Sequence, residues 1–245
     1  MSRTEGRGRR AALRALALMC LLGALTLGAL AWRMGKPLLD AKADYEAMRG
    51  RFCSDTQAGP DWESLQREYP GLVGWISAPD IGIDYPVMQA DDNRYYLRHL
   101  PDGSYNSVGS VFLDADSDPL LNDPLTPVYG HHVSDGTMFS PLTGYLDGEF
   151  AALHPVMTWY TPRGAYTVEI VAAHETDGSD NSFLWEYAAA DEQGRARWLE
   201  QLAERSAIRG PQPGPDDRLL ALVTCTTPWE GASRCIVYGR LKEQA

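Results

Sequence analysis

Four cysteines in 245 residues are too few for a disulfide scaffold, and a single long charge-free run rules out a polytopic membrane protein. No repeat with a period of about 20–50 residues and no low-complexity tract is present, which excludes solenoids, propellers and disordered arrays. Basic residues are scarce beyond the leading segment. Residues 1–36 carry seven Lys/Arg against one acid, whereas the remainder carries 15 against 32, a balance of −17. A body that acidic argues against nucleic acid as a partner. What is present is 44% hydrophobic and 22% charged residues, enough to build a core in one medium domain plus an appendage.

The appendage is the first segment. Ala15 to Trp32 is eighteen positions without a charge, which at about 1.5 Å per residue makes roughly 27 Å of helix, just sufficient to cross a bilayer. Arg3, Arg7, Arg9, Arg10 and Arg14 precede it, so the N-terminus should stay cytoplasmic and everything after Arg33 should lie outside. A cleaved signal peptide would have a shorter apolar region, about 7–15 residues, ending at a small-x-small site. Here Trp32, Arg33 and Lys36 follow, the pattern of an interfacial anchor. The expected division is a cytoplasmic basic tail over 1–14, a transmembrane anchor over 15–32, a stalk with N-terminal helices over 33–70 and a β-barrel over 71–245.

Pro37 to about Ala58 is helix-compatible and breaks at Ala58-Gly59-Pro60, and Asp61 to Glu68 offers a short helix with Leu65 as its apolar contact. After Pro70-Gly71 come eight β-like runs: Leu72 to Ser77, Ile81 to Val87, Ser110 to Leu113, Thr126 to Tyr129, Val156 to Tyr160, Tyr166 to Ala173, Leu219 to Cys225 and Arg234 to Leu241. Eight such runs in one domain point to a closed or nearly closed β-barrel, so the chain reads as mainly β with added helices. Trp198, Leu199, Leu202 and Ala203 recur at helical spacing, predicting one long helix over Ala188 to Ile208 before the last two strands.

Candidate chemistry gathers at strand ends. If the last two runs pair antiparallel, Cys225 and Arg234 face each other at the rim, where a fixed cation lowers a thiol pKa and donates to a developing oxyanion. A buried Cys beside a surface Arg is the structural alternative. Val128-Tyr129-Gly130-His131-His132 is a strand ending in Gly and two histidines, and one of these could act as general acid and base for a Cys elsewhere in the chain. Only one of the two can face a given site. The histidines lack Cys or carboxylate partners at ligand spacing, and Asp114, Asp116 and Asp118 lack the rest of a calcium loop, so no metal and no cofactor is expected.

At this point the chain resembles a known family. Tyr129-Gly130-His131 followed by Asp135-Gly136-Thr137-Met138-Phe139, Leu-Val-Thr-Cys ending at Cys225, and Arg234 resemble the sortases, cysteine transpeptidases of Gram-positive cell surfaces. Val73-Gly74-Trp75-Ile76, Ile83-Asp84-Tyr85-Pro86-Val87-Met88-Gln89, Asp92-Asn93-Arg94-Tyr95-Tyr96-Leu97 and Gly109-Ser110-Val111-Phe112-Leu113-Asp114 resemble the succession seen in class B sortases, so the likeness runs from about Leu72 to Leu241.

The resemblance implies an eight-stranded sortase-type β-barrel with His131, Cys225 and Arg234 as the catalytic set. It further implies cleavage of a C-terminal sorting signal after its Thr, a thioester on the Cys, and transfer of the surface protein to an amine of a peptidoglycan precursor. Class B signals are usually of the NPQTN type. Asn93, Leu97, Tyr129 and Thr224 are carried over as candidate substrate-binding residues. Two departures are Val223, where the class commonly has Ser, and His132, where members often have Asn. Of the remaining cysteines, Cys20 lies in the span and Cys235 should point away from Cys225, while Cys53 could pair with Cys235 only if the N-terminal helix crosses that strand; free thiols are expected. A Cys/His cell-wall amidase or endopeptidase and a pilin-polymerising sortase remain as alternatives, although no extended lid segment precedes the barrel.

Overall fold

The computed structural model describes residues 3–52, 60–178, 182–227 and 233–244. Two units are distinguished, Met1–Asp44 and Tyr45–Ala245. The first is the greater part of α1, a 50-residue helix over Arg3–Phe52. Its side chains from Leu16 to Leu30 are largely exposed leucine, and Leu16–Arg51 contains a stretch long and apolar enough to cross a membrane. The separate helix expected from Pro37 onward is instead a continuation of α1. Proline removes one ladder hydrogen bond, but strong helix formers on both sides (Met34, Leu38, Leu39, Ala41, Lys42) sustain the run. The expected break at Ala58-Gly59 lies outside the described residues.

In the second unit, α2 (Trp62–Glu68) is capped by the Asp61 carboxylate, which accepts from the Ser64 amide at 3.3 Å, and it buries Leu65 as anticipated. Eight strands follow: β1 (Leu72–Ala78), β2 (Ile83–Met88), β3 (Val111–Leu113), β4 (Leu125–Tyr129), β5 (Val156–Thr161), β6 (Gly164–Thr176), β7 (Leu219–Cys225) and β8 (Arg234–Glu243). They close a barrel in the order β1-β2-β3-β4-β7-β8-β6-β5. The β2/β3 and β4/β7 pairs are parallel and the others antiparallel. The β4/β7 pairing sets Tyr129 beside Val223 at one rim, where β8 begins.

The long helix expected over Ala188 to Ile208 is α5 (Glu192–Arg205), and a shorter helix that was not expected, α4 (Ser182–Ala189), precedes it between β6 and β7. Asp191, with an extended backbone and a carboxylate that accepts from the Gly194 amide at 2.8 Å, caps the start of α5. Phe183, Leu184 and Tyr187 of α4 and Trp198, Leu199 and Leu202 of α5 are buried on the sheet face carrying Leu219, Ala221, Val223, Ile236 and Tyr238. A second cluster, Met48, Leu65, Leu72, Trp75, Met88, Tyr96 and Phe112, fastens α2 and the last turns of α1 to the barrel, where the Tyr45 hydroxyl donates to the Gly109 carbonyl at 2.8 Å. A segment over 140–153, a 3-10 turn followed by α3 (Gly148–Leu153), was not foreseen.

Candidate active site

Cross-strand partners in an antiparallel pair point to the same face. Along β7 and β8 these are Ala221 with Tyr238, Val223 with Ile236, and Cys225 with Arg234. Cys225 and Arg234, both half-buried, therefore end the row whose inner members pack under α4 and α5. Just beyond them the Thr226 amide donates to the Ser233 carbonyl at 2.7 Å, the Thr226 hydroxyl donates to that carbonyl at 3.0 Å, and the two hydroxyls lie 2.9 Å apart. This clasp fixes the register at the sulfur. Nothing in the residue pattern announced it, since Thr226 and Ser233 read as loop.

His131 and His132 follow β4 at the same rim. The Gly130 amide donates to the Val223 carbonyl at 3.1 Å, and a Cβ at position 130 would lie 2.6 Å from the Phe139 ring, so only glycine lets the chain turn there. The β4/β7 alignment ends at Tyr129/Val223, so the segment carrying His131 and His132 leaves β4 at the rim where β7 reaches Cys225. His131 Nε2 lies 2.8 Å from the Leu97 carbonyl oxygen and His132 Nδ1 lies 3.0 Å from the Cys225 carbonyl oxygen. A carbonyl only accepts, so both nitrogens carry protons, and Nδ1 is the atom His131 has available for exchange. The loop is held rigidly: the Phe139 amide donates to the His131 carbonyl at 3.1 Å, and Met138, at φ 57, donates its amide to the Tyr85 hydroxyl at 3.0 Å.

One wall is built from the segment between β2 and β3. Asn93 is exposed, Leu97 is 36% exposed, and Tyr129 is half-buried against both core clusters. Asn93 Nδ2 and the Tyr129 hydroxyl both donate to Asp114 Oδ2, at 2.7 and 3.1 Å. Burial, and then the Asp114 charge, push the Tyr129 phenol far above its ordinary pKa, opposed by the positive field of Arg234. Tyr129 is thus a neutral donor near Arg234. Thr224 is different. It is 2% exposed, pairs with Cys235 on the face opposite Cys225, and its hydroxyl has no hydrogen-bond partner among the described residues. Its side chain thus lies on the other sheet face from Cys225.

Cys20 and Cys235 are free, and Cys53 lies outside the described residues. The buried Cys235 thiol donates to the Leu142 carbonyl at 3.4 Å, and burial, followed by Glu175, pushes its pKa up to about 12. Among the described residues no three His, Cys, Asp or Glu side chains are grouped to hold a metal ion.

This geometry agrees with what the chain is similar to. The sortase domain family matches residues 76–242. A sortase B of Listeria monocytogenes is 30% identical over 204 residues, covering 82% of both chains, and a sortase B of Staphylococcus aureus is 27% identical over 202 residues, 80% of this chain and 82% of that one. Among solved structures, a Staphylococcus aureus sortase B-substrate complex superposes with a TM-score of 0.77 at 27% identity, covering 86% of this chain and 100% of that one. The Bacillus anthracis sortase B in complex with AAEK1 superposes with a TM-score of 0.72 at 25% identity, covering 85% of this chain and 99% of that one.

Proposed function

The chain belongs to the sortase family, as a class B sortase and a cysteine transpeptidase, and from that premise we propose that it cleaves a C-terminal sorting signal after threonine and transfers the upstream protein to a cell-wall amine. The observation that carries this reading is the Cys225/Arg234 cross-strand pair at the rim where His131 follows β4.

In the first half-reaction the Cys225 thiolate attacks the threonine carbonyl and a C–S bond forms. The Arg234 guanidinium donates to the tetrahedral oxyanion, and the C–N bond breaks as the His131 imidazolium gives its Nδ1 proton to the departing amine. The product is a thioester, which conserves acylating power. In the second half neutral His131 takes a proton from the incoming amine, whose nitrogen attacks the thioester and expels the Cys225 thiolate. The Nε2–H to Leu97 carbonyl hydrogen bond leaves Nδ1 available throughout.

Asn93, Leu97 and Tyr129 serve this reaction as the wall along which the sorting signal lies. The N-terminal division also stands as a proposal: a cytoplasmic tail over 1–14, an uncleaved anchor over 15–32, a stalk and helices over 33–70, and an extracellular catalytic barrel from 71. The apolar stretch within Leu16–Arg51 and the arginines before it support a single-pass protein with its N-terminus inside. Incubating the enzyme with a panel of sorting-signal peptides, with and without an added oligoglycine amine, tests the reading. Amide-exchange product that grows with amine supports a wall-anchoring transpeptidase; hydrolysis indifferent to amine would favour the amidase.

A further inference from the structure

Asp114 is 1% exposed, yet its carboxylate ties together three segments that line the site. Oδ2 accepts from Asn93 Nδ2 at 2.7 Å and from the Tyr129 hydroxyl at 3.1 Å, and Oδ1 accepts from the Asp116 amide at 3.1 Å. Gln89 Nε2 donates to the carbonyls of Asp114 and Ser117, at 2.9 and 2.8 Å, and so fixes the turn in which the carboxylate sits. A buried carboxylate is costly unless its oxygens are satisfied, and here the donors come largely from groups that face the substrate side.

We infer that Asp114 is a positioning residue of the peptide-binding wall, fixing the one orientation in which Asn93 and Tyr129 can read an amide group of the sorting signal; this rests on the reaction proposed above. A carboxamide offers two N–H donors and two oxygen lone pairs. In Asn93 one donor goes to Asp114 and one lone pair accepts the Ala115 amide at 2.8 Å. One N–H and one lone pair remain on an exposed side chain, the complement of a peptide amide or of a carboxamide side chain. A carboxylate cannot donate, so Asn93 must turn its nitrogen toward Asp114 and cannot present the two remaining groups in reverse order. By the same logic Tyr129 must spend its proton on Asp114, and its oxygen is left as an acceptor only. The Asn93 segment continues to Leu97, whose carbonyl holds His131, so the wall and the imidazole share one support.

The substitution Asp114→Asn keeps the shape and removes the obligation, because an amide at 114 offers a donor as well as an acceptor. With a peptide that the wild type cleaves, KM should rise about tenfold, the worth of one hydrogen bond to a charged group, while kcat stays within about a factor of three. Alkylation of Cys225 by a small thiol reagent, which does not use the wall, should keep its wild-type rate. Asn93→Ala should raise KM similarly, and the double variant should be no worse than either single one, because both break the same link. An unchanged KM, or effects that multiply in the double variant, would overturn the inference while leaving the transpeptidase reading intact; a wild type that cleaves no sorting-signal peptide would overturn both. If Asp114→Asn does not fold, Asn93→Asp decides: it sets two carboxylates against each other on an exposed position, and a KM that does not move overturns the inference.

Discussion

Cys225 and Arg234 are cross-strand partners on one face of the β7/β8 pair, held in register by the clasp between Thr226 and Ser233 immediately outside them. In the reaction proposed above, Arg234 donates to the oxyanion that forms on the carbonyl attacked by Cys225. Arg234→Ala should lower kcat/KM by about 10²–10³, the usual cost of one oxyanion donor. Thermal unfolding should barely change, because Arg234 is half-buried at a rim. Equal activity in the variant would remove Arg234 from the chemistry.

The clasp itself is open to test. Thr226→Val keeps the shape and deletes the hydroxyl that meets both the Ser233 carbonyl and the Ser233 hydroxyl. Stability should fall by about 1 kcal/mol, and turnover should fall with it because Cys225 and Arg234 lose their fixed register. A Thr226→Val enzyme with wild-type turnover would show that the β7/β8 pairing holds the register unaided.

Gly130 approaches the Phe139 ring so closely that a methyl group would sit 2.6 Å from it. Gly130→Ala should cost about 1–3 kcal/mol by overpacking, or several degrees in Tm for a domain of this size, and should displace His131. Phe139→Leu in the same chain should recover part of the loss, as calorimetry would show.

His174 lies buried under α4 and α5, stacked on Tyr238 at 5.5 Å between centroids. Burial, and then the nearby Arg205 charge, hold its pKa down to about 4, against an ordinary value of 6.5. The unfolded chain therefore binds a proton that the folded one refuses between these values. Stability contributed by neutral His174 is complete above pH 6.5, declines as pH falls toward 4 and is lost below it, on the order of 3 kcal/mol at most. Tm measured from pH 7 to 4.5 should drop less steeply in His174→Gln than in the wild type. Parallel curves would place the acid sensitivity elsewhere.

The barrel was legible in the sequence because its strands are short apolar runs punctuated by Gly, Pro, Asn and Asp, and all eight expected runs overlap observed strands. The helix α5 was legible too, from Trp198, Leu199 and Leu202 at helical spacing, whereas α4 was not, because Ser182–Ala189 carries a single charge among mostly apolar residues and so shows little polar–apolar periodicity. Thr224 adjoins Cys225 along the chain but faces the other side of the strand. The alternation that correctly turned Cys235 away from the sulfur turns Thr224 away as well, since successive residues of a strand face opposite sides. Asp114 carried no local signal, because its partners lie 21 and 15 positions away.

Acid-quenched intact-protein mass spectrometry of the enzyme, incubated with a sorting-signal peptide and no amine, tests the central claim most directly. The account predicts a mass increase equal to the peptide through its threonine, mapped to Cys225, discharged by hydroxylamine and absent from Cys225→Ala. Peptide cleavage by Cys225→Ala, or an adduct carried by any other residue, would contradict it.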